Sequence, residues 1–186
     1  MKIKKLIALF LIILCLLPLI CFGTSSVLKT LYPLRYEDYV EVYAKENNLS
    51  PEFVYAVIYC ESDFDNEAVS SVGATGLMQI MPDTFRWIAA KLGEKSDYSA
   101  ATNPETSIRY GCYYYAYLSR RYNGVQEILA AYHAGLGNVD KWLSDERYSS
   151  DGKTLNAIPF PTTDKYVKKV MLTEKIYQKL YFRKEQ

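Results

Sequence analysis

The sequence holds a single histidine, His133, and four cysteines, of which Cys15 and Cys21 lie in an apolar N-terminal stretch. A structural zinc site draws on about four His or Cys ligands. With one histidine and no CxxC pair the chain offers no such set, so no metal and no cofactor is expected. The other two cysteines, Cys60 and Cys112, are far apart in sequence. Spacing alone does not show whether they meet in a bridge, and buried free thiols are the simpler expectation. An excess of positive charge is also missing. The chain has 22 basic and 21 acidic residues, and residues 24–186, without Lys2, Lys4 and Lys5, carry a net charge of −2. That balance argues against nucleic-acid binding, which needs a basic surface to neutralise phosphates. There is no internal repeat and no low-complexity tract. No stretch alternates apolar and polar residues strongly enough to imply a central sheet.

What is present begins with a basic start, Lys2, Lys4 and Lys5, followed by an uncharged run from Leu6 to Phe22. This is the pattern of an export signal, at the short end of what spans a bilayer. Two readings stay open. Residues 1–23 are either a signal peptide cleaved after Gly23 or a retained membrane anchor with its basic end in the cytoplasm. Lipid attachment at Cys15 or Cys21 is disfavoured by the bulky Leu14 and Ile20. Each reading places the remainder outside the cytoplasm, secreted or held at the outer face of the membrane. Residues 24–35 read as a linker and 36–186 as one domain, since 186 residues hold one globular unit plus an appendage.

Within that domain the signals are helical. Tyr36, Tyr39, Val40 and Tyr43 are spaced as one face of a helix that Asn47 and Asn48 end. Ser50-Pro51 is a cap followed by proline at the first helical position. It opens a helix to Glu61 or Ser62 with Phe53, Val54, Val57 and Ile58 inward. Residues 63–81 read as a structured loop, with a small hairpin near 70–80. Pro82 starts a short helix that stops at Gly93. Asn103-Pro104 repeats the cap-plus-proline signal for a long helix to Arg121 or Tyr122, closed by Asn123-Gly124. Tyr110, Tyr113, Tyr114 and Tyr117 share one side of it and read as a core face rather than an open aromatic stripe. Helices are expected over Val125–His133 and residues 138–144. Ile158-Pro159-Phe160-Pro161 reads as an extended turn, and Thr163 or Asp164 as the cap of a final helix of about 18 residues. The fold class is mainly α, a single helical domain with at most a small hairpin.

Four segments carry the chemistry: Glu61-Ser62-Asp63-Phe64, Gly76-Leu77-Met78-Gln79-Ile80-Met81-Pro82, Ala131-Tyr132-His133-Ala134-Gly135, and Ile158-Pro159-Phe160 with Tyr166-Val167. Each alone has a bland reading, as a solvated glutamate, a turn into a helix, a glycine-stopped helix end or a packing contact. Glu61, however, follows Val54, Val57, Ile58 and Cys60. An apolar setting raises a carboxyl pKa, as a general acid requires near neutral pH. Asp63 and Asp65 read as loop caps rather than as a second catalytic carboxylate.

In this order and spacing the four segments resemble the soluble lytic transglycosylase family, whose catalytic domain is lysozyme-like. The resemblance covers about residues 36–180. Its most specific part is Glu61-Ser62 followed fifteen residues on by Gly76 to Pro82. The charged and apolar start also looks like the short Gram-positive members. The resemblance implies a glycan-binding groove and cleavage of peptidoglycan between N-acetylmuramic acid and N-acetylglucosamine without water, leaving 1,6-anhydromuramyl ends. It implies that Glu61 acts first as acid and then as base. Ser70, Gln79 and Met81 match positions lining the sugar sites, and Tyr132 and Tyr166 match tyrosines beside the acid. His133, also assigned to substrate binding, stands where the family usually has Asn. It can gain charge near pH 6 to 7. Thr162 stands where the family usually has a second Glu. Two other readings are carried: a muramidase of the same fold that uses water, and a weakly active glycan-binding module of a wall-spanning complex. The partners implied are peptidoglycan strands, the membrane if residues 1–23 are kept, and a secretion, conjugation or sporulation complex.

Overall fold

A computed structural model of the chain describes residues 26–182. The export-signal or anchor reading of residues 1–23 lies outside the described residues. After a helical stretch at residues 26–31, seven further α-helices follow in chain order among the described residues. They are α1 (Glu37–Glu46), α2 (Pro51–Ser62), α3 (Pro82–Leu92), α4 (Pro104–Arg121), α5 (Val125–Ala134), α6 (Leu136–Leu143) and α7 (Pro161–Tyr181), with a 3-10 turn at Tyr98–Thr102 between α3 and α4. Among the described residues the only β features are isolated bridges, Val69 with Thr75 and Thr75 with Ile80, where a hairpin was expected. No described helix is long and apolar enough to cross a membrane.

The centre is α2. Ser50 caps it by accepting the Phe53 N–H, Pro51 takes the first position, and every residue from Phe53 to Ile58 is buried. A helix that is apolar all round belongs in the interior. Its most extensive packing is along α7, with α1 on a second side, while α5 also lies on α7. Buried aromatic rings fill the seams. Tyr55 stacks on Tyr177 of α7 with centroids 5.5 Å apart, and Phe53 meets Tyr115 of α4 edge-on at 5.0 Å. Each such ring contributes about 1.5–3 kcal/mol through burial. Cys60 and Cys112 are free thiols, Cys112 fully buried.

The expectations need four adjustments. α6 begins at Leu136, directly after Gly135 (φ 87°), so Gly137 lies inside a helix rather than before one. α7 begins at Pro161, after an extended Phe160, and runs 21 residues. Neither Thr163 nor Asp164 is its cap, because the proline two residues earlier already suits a helix start. On α4 only Tyr110 of the four spaced tyrosines is buried, whereas Tyr113, Tyr114 and Tyr117 are half-buried against Trp87. Tyr115, outside that set of four, is fully buried as well. Finally, residues 26–31 are helical. The stretch read as linker docks on the helices: Tyr177 donates to the Pro33 carbonyl at 3.1 Å and Tyr181 to the Tyr32 carbonyl at 2.8 Å.

Residues 63–81 form the lip above the end of α2. Two successive non-glycine residues, Asp63 (φ 51°) and Phe64 (φ 64°), take left-handed backbone and turn the chain out of the helix. Ser62 then donates to the Leu77 carbonyl at 2.9 Å, and the Tyr98 hydroxyl lies between the Gly73 and Ile80 carbonyls, at 2.7 and 2.8 Å, with its one proton to donate to either. Ser107 on α4 accepts the Met78 N–H at 3.2 Å. Gly76 is required here on two counts. Its φ is +83°, and a Cβ would lie 2.0 Å from the Ala101 carbonyl oxygen. Gly76→Ala should therefore destabilise the fold by about 3 kcal/mol, combining left-handed strain with a backbone clash. Urea unfolding of the two proteins measures this, and an unchanged midpoint would mean that the lip does not need this close approach.

Candidate active site

Glu61 sits in the last turn of α2, where the buried helix emerges under the lip. Its Oε1 accepts a hydrogen bond from the Tyr166 hydroxyl at 2.6 Å. The Tyr115 hydroxyl lies 3.1 Å from the Tyr166 oxygen. A phenol has one proton to donate, and Tyr166 gives its own to the carboxylate, so Tyr115 donates to Tyr166. The order is therefore Tyr115 to Tyr166 to Glu61, one link from each of α4, α7 and α2. Both phenols are buried, which pushes their pKa values well above the usual range and keeps them as donors.

Burial dominates the electrostatics of Glu61. It raises the carboxyl pKa from its ordinary 4.5 to about 7, against the opposing pull of the Tyr166 hydrogen bond and the positive charge of Lys169. Lys169 lies one turn beyond Tyr166 and holds the Cys60 carbonyl at 3.3 Å. Tyr115 and Tyr132 feel the Glu61 charge as well. Among the described residues no carboxylate acts on Glu61. Asp65 is turned to its own loop, where Oδ1 accepts the Glu67 N–H at 2.9 Å, and Asp63 is exposed. The remaining buried carboxylate, Glu127, accepts the Leu155 N–H at 2.7 Å, so its role is to anchor the segment between α6 and α7.

Of the residues singled out from sequence, Glu61, Tyr132, His133 and Tyr166 come together. Tyr132 stacks face to face on Tyr115, with centroids 4.2 Å apart, and donates to the Met78 carbonyl at 2.5 Å. It thereby ties α5 to the lip. His133 lies over the Tyr166 ring at 4.5 Å, and its Nδ1 is 3.0 Å from the Thr163 hydroxyl. This contact, rather than capping, is the use made of Thr163. His133 is exposed at the rim, but the covered part of its ring lowers its pKa through burial.

Ser70, Gln79 and Met81 lie on the lip, and no hydrogen bond among the described residues joins them to Glu61. The Ser70 hydroxyl accepts the Ala74 N–H at 2.9 Å. Gln79 differs from expectation. In left-handed backbone (φ 46°), it spends its amide nitrogen on the Ala68 and Gly76 carbonyls, both at 3.0 Å. Only its oxygen is left to accept from a ligand. Met78 is fully buried and Met81 is 40% exposed, so the two methionines of the motif divide between core and surface.

Sequence reading missed Tyr115 and Lys169. Tyr115 is one of 18 tyrosines and nothing local marks it. Lys169 follows Tyr166 at i+3, a spacing that would have put it on the same side of the helix.

The geometry agrees with the comparisons. Residues 38–155 match the family model of the transglycosylase SLT domain. The soluble lytic murein transglycosylase of Salmonella typhimurium is 34% identical over 164 residues, covering 85% of this chain and 25% of that protein. Among solved structures, a mutant of the lytic transglycosylase Slt from Pseudomonas aeruginosa, described as inactive, superposes with a TM-score of 0.74 at 30% identity. It covers 85% of this chain and 26% of its own. A complex of a 70-kDa soluble lytic transglycosylase with bulgecin A gives the same TM-score and identity, over 86% of this chain and 26% of that one. The chain thus spans about a quarter of the length of these relatives, and its fold is the lysozyme-like fold of their transglycosylase domain. From motif, helix order and superposition together, the chain belongs to the transglycosylase SLT domain family.

Proposed function

We propose that this protein is a peptidoglycan lytic transglycosylase in which Glu61 is the sole catalytic carboxyl group. The observation that carries the reading is a half-buried carboxyl on which no second carboxylate acts, its pKa raised to about 7 and its Oε1 held by a buried phenol. A group with that pKa is available as acid and as base near neutral pH. The inactive Pseudomonas mutant, whose change is one glutamate to glutamine, supports a mechanism resting on a single glutamate.

The steps balance on that one group. Protonated Glu61 gives its proton to the oxygen bridging N-acetylmuramic acid and N-acetylglucosamine, and the bond from muramic C1 to that oxygen breaks. The carbonyl oxygen of the muramic N-acetyl group donates electron density to C1, a substrate-assisted route known in glycoside cleavage. Carboxylate Glu61 then takes the proton of the C6 hydroxyl as O6 bonds to C1. The ring closes, Glu61 is again protonated, and no water is consumed. Tyr166 steadies the carboxylate between the two transfers, and Tyr115 fixes the direction of the Tyr166 proton. Tyr132, His133, Met81, Ser70 and the Gln79 oxygen supply the sugar contacts in this reading. Action is placed outside the cytoplasm, where the wall lies, with residues 1–23 as export signal or anchor.

Digestion of purified peptidoglycan followed by mass spectrometry tests the reaction. The expected products carry anhydromuramyl ends. Reducing ends, one water heavier, would make the protein a hydrolase. Glu61→Gln should lower the rate by at least about 100-fold, and substantial residual turnover would remove Glu61 from its role.

The same variant gives an independent check of the site. The folded-state pKa of about 7 lies above the ordinary 4.5. Between those values the folded protein binds more protons than the unfolded chain, so stability falls as pH rises and the loss is complete above pH 7. At pH 8, Glu61→Gln should therefore be more stable than the parent by on the order of 2–3 kcal/mol. At about pH 4 the two should unfold together. Denaturant titrations at both pH values measure the difference.

His133 shifts the other way. Partial burial lowers its pKa below 6.5, so it is neutral at pH 7, and its charge step moves to the acid side of the range expected from sequence. His133→Asn should leave activity at pH 7 within about threefold and flatten the step below about pH 6.5. An unaltered profile of rate against pH would take His133 out of the site.

A further inference from the structure

Glu61 stands in the last turn of α2, an unfavourable place for a carboxylate. Aligned peptide dipoles leave partial negative charge at a helix C-terminus, where cations are stabilising and anions are not. The other helices carry a basic residue there in their own sequence. α1 ends with Lys45, α3 with Lys91, α4 with Arg120 and Arg121, α5 with His133, α6 with Lys141 and α7 with Lys179. Of α1 to α7, α2 alone has no basic residue in its last turn. A cation reaches it from another helix instead. Lys169 of α7 donates from Nζ to the Cys60 carbonyl at 3.3 Å, and the same Nζ lies 5.9 Å from the centroid of the Tyr59 ring.

We propose that Lys169 is a positioning residue for Glu61: its charge replaces the missing cation at the end of α2 and stabilises the carboxylate that forms there when Glu61 gives up its proton. This rests on the preceding reading that Glu61 is the acid and the base. Three observations support it. The first is the unpaired helix end. The Cys60 carbonyl would accept the Phe64 N–H if the helix continued. Asp63 and Phe64 are left-handed instead, and the Asp63 N–H closes the helix on the Tyr59 carbonyl at 3.1 Å. Among the described residues no backbone N–H beyond the helix reaches the Cys60 carbonyl, and Lys169 supplies the donor.

The second is the reach of the charge. Lys169 acts on the Glu61 carboxyl and on the neighbouring Cys60 thiol, favouring the charged form of both against burial. The third is that this charge is not spent elsewhere. Lys168 is paired with Asp164 at 2.7 Å, whereas Lys169 forms no ion pair among the described residues. The other titratable groups around Glu61 keep one form while it titrates. Burial holds the phenols of Tyr166 on α7, Tyr115 on α4 and Tyr132 on α5 well above the usual range, and it raises the Cys60 thiol. His133 on α5 is lowered below 6.5. On the lip Asp63 is exposed and Asp65 is bound to its own loop. Lys169 is itself exposed, so its influence is modest and screened by salt.

The test is the rate of peptidoglycan cleavage against pH for the parent, Lys169→Met and Lys169→Arg. Met has a similar length and no charge. Protonated Glu61 starts the reaction, so the rate falls as pH rises through its pKa. Without Lys169 that pKa is higher, and the alkaline fall should move up by about half a pH unit. A carboxyl of higher pKa is also a weaker acid, so kcat at the optimum should drop about threefold, with KM unchanged. Lys169→Arg should restore the parent profile, and high salt should shrink the difference between parent and Lys169→Met. Denaturant unfolding at pH 8 reads the same coupling without turnover. Glu61→Gln should stabilise the Lys169→Met protein more than it stabilises the parent, because the carboxylate it removes has lost its cation. At about pH 4, with Glu61 protonated in both backgrounds, the two effects should be equal.

An unmoved pH profile in Lys169→Met, with equal effects of Glu61→Gln in both backgrounds at pH 8, would overturn the role of Lys169 while leaving the transglycosylase reading intact. A raised KM at an unmoved profile would overturn it in favour of a contact between Lys169 and the strand. A profile that Lys169→Arg fails to restore would overturn the assignment to charge. Unequal effects at pH 8 in a parent protein that releases no products, or only reducing ends, would uphold the coupling of Lys169 to Glu61 and overturn the transglycosylase reading.

Discussion

The hydrogen bond from Tyr166 to Glu61 is where the packing of the protein becomes its chemistry. It spans the interface between α2 and α7, the most extensive in the molecule, and it is 2.6 Å long because those helices are pressed together by buried aromatic rings. Burial alone would leave Glu61 a neutral acid. The phenol offsets part of that penalty by favouring the carboxylate, so the group stays close to the balance between its two forms. A second carboxylate close by would disturb this balance through like charge. Within the described structure the nearest acidic residues in sequence are directed to loop capping or to solvent.

The remaining elements secure that bond at a distance. Tyr115 orients Tyr166, Tyr132 stacks on Tyr115, and the Tyr132 hydroxyl reaches the carbonyl of Met78. Met78 in turn is seated over Gly111 of α4, where a Cβ would lie 2.2 Å from its sulfur. The lip, α4, α5 and α7 are thus joined through side chains of three different sequence motifs and one residue, Tyr115, that belongs to none. The same aromatic surface continues outward to Trp87, which links the interior of the fold to an open pocket.

Much of the helix pattern was legible because its signals are local. Ser50-Pro51, Asn103-Pro104 and the glycine at 93 mark helix ends through their own backbone preferences, and each end lies where those residues place it. Reading failed where a local preference had a stronger competitor. Thr163 has a good capping side chain, but Pro161 already opens the helix and His133 takes the hydroxyl. Gly137 was read as part of a break, yet only Gly135 carries the left-handed φ that makes one. The tyrosines of α4 were read by spacing as core, but half of the face they occupy meets Trp87 and solvent rather than another helix.

By itself the sequence determined the succession of helices, the apolar character of α2 and the position of Glu61 at its end. These depend on neighbours along the chain, through capping, helical period and composition. The motif order also sufficed to indicate the family. Only the tertiary structure decided which groups act on Glu61. Tyr166 is 105 residues away and Tyr115 is 51 residues from Tyr166, so their meeting depends on how α2, α4 and α7 pack. It also decided that the Gln79 amide nitrogen is spent on the loop, that Cys60 and Cys112 stay apart, and that an aromatic pocket lies beside Tyr132. Burial and long-range partners are properties of packed surfaces, and no single stretch of chain contains them.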